Sequence, residues 1–144
     1  MEAARWAPSA GNLQPWKFHI VLNPDIRKEL AMAAHGQEFL LQAPAVIAVC
    51  ALPEQSAKTY GERGRSLYCL QDTAAAVQNI LLQAAMLGLA SCWVGAFKET
   101  AVARALHLKE GEKPVALIPV GYPAGPMPQD RARFPMEKIV KRME

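Results

Sequence analysis

A mixed fold, with strands and helices interleaved, is what this sequence predicts, and three observations carry the prediction. Short apolar runs at 16–22, 44–51 and 114–122 have the length and composition of strands. One long stretch, 68–87, is apolar on nearly every side at helical spacing and stops at Gly88. Finally, 51% of the 144 residues are apolar and 20% are charged, which supplies a core and suits a single domain over residues 1–144.

Residues 1–6 are good helix formers with no N-cap, and so read as the tail of a helix, a turn that is not stable alone. The next ten, Ala7-Pro8-Ser9-Ala10-Gly11-Asn12-Leu13-Gln14-Pro15-Trp16, hold two prolines, a glycine, a serine and an asparagine. Each proline directs its predecessor, Ala7 or Gln14, towards extended backbone. Gly11 and Asn12 both accept left-handed φ. The expectation is a stiff, irregular loop that offers Ser9, Asn12 and Gln14 to a flat polar ligand, or else to their own backbone.

In the strand at 16–22, alternation puts Trp16, Phe18, Ile20 and Leu22 on one face and Lys17, His19 and Val21 on the other. One face is expected to be buried and the other partly covered. Asn23-Pro24 reads as N-cap and first residue of a short helix that Gly36 closes. His19 and His35 have no partner nearby in the sequence and receive no role. The run at 44–51 reads as a central strand buried on both faces, ended by Pro53. The polar stretch 54–66 reads as a surface connection, with Tyr60 and Tyr68 available to face a ligand but assigned first to packing.

Asp72 falls near the start of the helix at 68–87, where a carboxylate favours the positive end of the dipole. Asp72, Asn79 and Gln83 form only a thin polar stripe on that helix. One protomer of this size cannot cover it, so it is expected to pack on a partner subunit as well as on its own sheet. In Gly88-Leu89-Ala90-Ser91-Cys92-Trp93-Val94-Gly95-Ala96-Phe97, Gly95 marks either a bulge or a close approach of a ligand or another backbone. A short helix at 99–107 and a charged turn at 109–113 follow. Pro119 places the strand at 114–122 on an edge or at a bulge. Pro123, Pro126 and Pro128 then extend the chain, so that Arg131 and Arg133 point the same way. Such a pair suits a phosphate, or lies solvated on the surface. Residues 136–143 form a short amphipathic helix at most.

Several functions are excluded. The net charge is only +3 and the basic residues are scattered, which speaks against nucleic acid. No apolar run reaches the roughly 20 residues of a membrane span, and no signal peptide is visible. Cys50, Cys69 and Cys92 are odd in number and far apart. They read as buried, reduced thiols of a cytoplasmic protein, with neither a disulfide framework nor a metal site. There is no dinucleotide glycine motif, P-loop, carboxylate pair or Ser/His/Asp set.

Three segments together resemble the FMN-dependent nitroreductase family: Pro-Ser-Ala-Gly-Asn-Leu-Gln-Pro-Trp at 8–16, Gly-Leu-x-x-x-Trp-Val-Gly-x-Phe at 88–97, and Arg-x-Arg at 131–133. The resemblance implies an α+β fold, a nitroreductase-like sheet flanked by helices, in a homodimer with FMN at the subunit interface. It assigns Pro8, Ser9, Ala10, Asn12 and Gln14 to the cofactor. It gives Gly95 the amide that reaches flavin N5, with Trp93, Val94 and Ala96 lining the ring. Arg131 and Arg133 take the phosphate. The reaction implied is ping-pong transfer from NADH or NADPH, through the flavin, to a small-molecule acceptor such as a nitroaromatic or quinone. No catalytic side chain is expected, because the flavin carries the chemistry. In the family an N-terminal helix and an Arg-rich, flavin-binding motif precede the loop. Residues 1–6 offer no counterpart, so a short form lacking them is expected. The alternative is a dimer of the same fold that binds flavin weakly or does not turn over.

Overall fold

Ala45–Ala51, strand β2, has a strand on each side and buries both of its faces, which sets the plan of the molecule. Its computed structural model describes residues 1–126 and 131–143. The remaining elements are α1 (Glu2–Arg5), β1 (Trp16–Val21), α2 (Pro24–Ala33), α3 (Phe39–Gln42), α4 (Pro53–Arg63), α5 (Cys69–Met86), β3 (Ala90–Ser91), α6 (Glu99–Ala105), β4 (Lys113–Gly121) and α7 (Met136–Ile139). The sheet runs β1-β2-β4-β3, with every pairing antiparallel. Pro128 lies outside the described residues.

Helices cover both faces of this sheet. Val46 and Ala48 of β2 point into a cluster with Leu30, Leu40, Val102 and Leu117, under α2, α3 and α6. Val49 points the other way, to Ala76, Val77 and Ile80 of α5 and to Ala4 of α1. A strand with helices on both sides has no polar face to alternate, hence its continuous apolar run. This is the α+β architecture expected, an antiparallel sheet flanked by helices.

Asn23 caps α2 with its side chain, accepting from the N–H groups of Asp25 and Ile26 at 2.8 and 3.3 Å. His35 and Gly36, both left-handed, end it. The π-helical turn Gly64–Tyr68 joins α4 to α5.

Four expectations are corrected. Residues 54–66 are not a surface connection: Pro53 starts α4, which kinks at Gly61 (φ 55°) rather than stopping there. On β1, α5 covers Trp16 and Phe18 only in part, and Ile20 and Leu22 beyond it are 56% and 64% exposed. The opposite face closes at Val21, in the core, while the Lys17 side chain stays 43% exposed. Pro119 is on an internal strand, opposite Val46. It is tolerated because Leu117 pairs both its N–H and C=O with Val94. Two residues on, position 119 turns its nitrogen to the same side, where the chain at Cys92 and Trp93 has left the ladder. The other alternative holds for the strand, since β4 does carry a bulge, at Val115 rather than at Pro119: Val49 pairs with Ala116 and Cys50 with Pro114. Lastly, Cys92 is exposed, whereas Cys50 and Cys69 are buried.

Candidate functional site

The loop before β1 is held in a shape its sequence half anticipates. Gly11 and Asn12 take φ 56° as expected, but Gln14 is also left-handed at φ 51° rather than extended. The Trp16 N–H donates to the Gln14 carbonyl (2.8 Å) across Pro15, and this tight turn overrides the preference of a residue before proline. For Asn12 and Gln14 the left-handed backbone costs about 1–2 kcal/mol each, and the surroundings over-determine it. The Ser9 Oγ accepts from the Gln14 N–H at 2.9 Å. The Asn12 N–H donates to the Ser9 carbonyl at 2.9 Å. From α4, the Gln55 side chain donates to the Leu13 carbonyl at 2.5 Å, and Tyr60 lies so close to Gly11 that a Cβ there would meet its hydroxyl at 2.7 Å. From α5, an Asp72 oxygen accepts from the Ala10 N–H at 3.1 Å.

Self-satisfaction by the loop is thus seen directly for the polar side chains. Ser9 and Asn12 satisfy loop partners, the Asn12 Oδ1 accepting from the Gln14 amide at 3.2 Å. The Asn12 amide NH₂ and the Gln14 carbonyl oxygen remain at the surface, a donor and an acceptor suited to a planar heterocycle. Pro8, Asn12 and Gln14 are exposed; Ser9 and Ala10 are half-buried.

The 88–97 segment forms the far edge of the sheet. Val94 exchanges two hydrogen bonds with Leu117, at 3.0 and 2.9 Å, so by alternation the Gly95 N–H faces away from β4. A Cβ added to Gly95 would meet only the Trp93 indole nitrogen, at 3.8 Å, and Gly95 has an ordinary negative-region backbone. Nothing in its own chain demands a glycine there. Trp93 and Ala96 are exposed, but Val94 is 3% exposed in the core with its backbone paired. It supports the segment from behind and is not a lining residue.

These two segments do not meet within one chain. The loop feeds β1 at one edge of the four-stranded sheet and Gly95 continues the other edge, three strand spacings away, or about 14 Å. Arg131 and Arg133 are exposed and do not act as a parallel pair: the Arg133 guanidinium folds back on the carbonyls of Arg131 and Ala132, at 3.3 and 3.1 Å. A cavity of about 390 Å³ between α3 and the β3–β4 edge is lined by Phe39, Pro44, Cys92 and Tyr122, and contains none of the expected site residues.

Sequence reasoning missed two groups. His19 does have a partner: its Nε2 lies 3.0 Å from Glu112, whose other oxygen accepts from Lys17 at 2.5 Å. Burial pushes the Glu112 carboxyl up, but the Lys17 and His19 hydrogen bonds outweigh it and hold it below the usual carboxylate range. The Cys50 sulfur is near enough to His19 and Glu112 for all three to face one ion. Yet Lys17 already supplies Glu112 with a cation, and burial, then Glu112, push the thiol up to about 12. The cluster is thus an ion-pair network beside a neutral thiol. The second group is Asp72, buried under the loop. Neither contact leaves a trace in the sequence, because the partners are 93 and 62 residues apart.

Comparison with known proteins agrees with this architecture. The family model described as "Nitroreductase family" matches residues 1–37 and 29–122. A protein of Archaeoglobus fulgidus, provisionally named NADH dehydrogenase/NAD(P)H nitroreductase, is 35% identical over 127 residues, covering 85% of this chain and 70% of its own. A crystal structure from Bacteroides thetaiotaomicron with the same provisional name is 33% identical, with a TM-score of 0.81 over 97% of this chain and 79% of the other. A nitroreductase family protein of Streptococcus pneumoniae is 25% identical, with a TM-score of 0.86 over 99% and 86%. The chain spans 70%, 50% and 63% of the length of the first three curated relatives it matches. With the fold, the loop and the edge glycine in place, this chain belongs to the nitroreductase family.

Proposed function

We propose that this chain is a subunit of a homodimeric, FMN-dependent NAD(P)H oxidoreductase whose cofactor lies between the loop of one protomer and the Gly95 edge of the other. The observation that carries the reading is the edge itself. Gly95 directs an N–H away from the sheet at a place where a Cβ would fill open space, a cradle that fits a flat ring. Dimerisation is supported by the distance between the sheet edges within one chain. It is supported further by the apolar side chains α5 leaves uncovered: Leu82, Leu87 and Met86, the last 82% exposed.

The chemistry a bound FMN supplies here is hydride transfer through N5, from NADH or NADPH to an acceptor such as a nitroaromatic or quinone, in two half-reactions. Around it the chain has simpler tasks. Asn12 and Gln14 pair with polar ring edges, with Pro8, Ser9 and Ala10 shaping the contact. The Gly95 amide donates to the ring, Trp93 and Ala96 cover its face, and Arg131 and Arg133 neutralise the phosphate. Three free cysteines suit a reducing, cytoplasmic setting. No helix among the described residues is long and apolar enough to cross a membrane.

Purified protein mixed with FMN and separated from excess is expected to be yellow and to bleach on addition of NADH or NADPH. Protein that stays colourless overturns the reading and leaves a dimer without turnover. Protein that is yellow but not bleached limits it to flavin binding.

A further inference from the structure

Of the clamps on the loop, one comes from the first turn of α5, the longest helix among the described residues. Ala10 opens the left-handed turn, and its N–H bonds to the Asp72 carboxylate at 3.1 Å. Asp72 stands in the first turn of α5 and is 7% exposed. Its second oxygen is buried and has no hydrogen-bond partner among the described residues. The neighbouring polar groups of α5 do not relieve it. The Thr73 hydroxyl donates to the carbonyls of Cys69 and Leu70, and the Cys69 thiol to that of Arg65. Burial pushes the Asp72 carboxyl up, only partly offset by the Ala10 N–H. An apolar residue would spare the fold this half-satisfied acid, so its retention needs a reason.

We propose that Asp72 is a positioning residue that ties Ala10 to α5 and thereby holds the Gly11–Asn12 turn in its left-handed form before any ligand arrives. The tether is to an acceptor oxygen on a rigid helix, and nothing in it requires charge. Asparagine keeps the acceptor. Alanine removes it, and leucine fills the same space without it.

The ligand-facing consequence rests on the flavin reading above; the tether does not, and amide hydrogen exchange separates the two. In Asp72→Ala, the Ala10 and Asn12 amides are expected to exchange about tenfold faster or more, the scale of a buried donor left without its acceptor. Amides in the middle of α5 stay protected, and FMN binds correspondingly more weakly. Asp72→Asn is expected to restore both readouts to within about threefold of wild type. Should Asp72→Ala fail to fold, Asp72→Leu is read in the same way. Loop exchange unchanged in the alanine and leucine variants overturns the proposal, as does an asparagine variant as loose as alanine. Wild-type protein that takes up no FMN overturns the flavin reading instead, and the exchange data alone then judge Asp72.

Discussion

The loop at 9–14 and the carboxyl-terminal segment at 131–143 are both expected to serve the same cofactor, yet they are built in opposite ways. The loop is gripped by α4, by α5 and by itself, with three left-handed residues held where they would not rest unaided. The segment is exposed from end to end, and among the described residues Arg133 finds only the carbonyls just before it. The loop is thus shaped during folding, whereas the contacts described for Arg133 are to its own backbone. Substitutions in the first should register as stability; those in the second, only as affinity.

Gly11→Val tests the shaped half most severely. A β-branched residue at φ 56°, against Tyr60, is expected to lose about 2–4 kcal/mol in denaturant unfolding; a loss below about 1 kcal/mol would show the loop to be far softer than its contacts imply. Gly95→Val sharpens the contrast from the sheet edge. Its Cβ has room, so stability should move by less than about 0.5 kcal/mol, while FMN affinity falls about tenfold or more. Unfolding as severe as that of Gly11→Val would make Gly95 a packing residue. The mildest test is Arg133→Ala, expected to leave the midpoint of unfolding unchanged and to weaken FMN by about 1 kcal/mol, because an exposed guanidinium is well screened. A shifted midpoint would mean that the segment is already part of the folded core.

What the sequence disclosed was local. The Asn23 cap, the double-sided burial of β2 and the left-handed Gly11 and Asn12 all follow from one residue and its neighbours, where intrinsic preference decides. The failures were settled by partners far along the chain. A polar composition with Gly61 and Gly64 concealed α4, because that helix bends at one glycine. The other, Gly64, lies so close to the Ser56 carbonyl that a Cβ would come within 2.5 Å of it. Gln14 obeyed the turn around Pro15 rather than the preference of a pre-proline residue. The Glu112 and Asp72 contacts pair residues that no periodicity relates. The site shared this division: its loop and its edge glycine were legible as motifs, but the sheet that sets them on opposite edges was not.

The short length of β3 has a further consequence. With two residues paired there and one bridge at Val94, the ladder on this side of β4 is broken opposite Pro119, which is itself buried. Having no amide N–H, Pro119 leaves no buried donor unpaired at that break. The same proline that obscured the strand in the sequence thereby lets the ladder lapse there without an orphaned N–H.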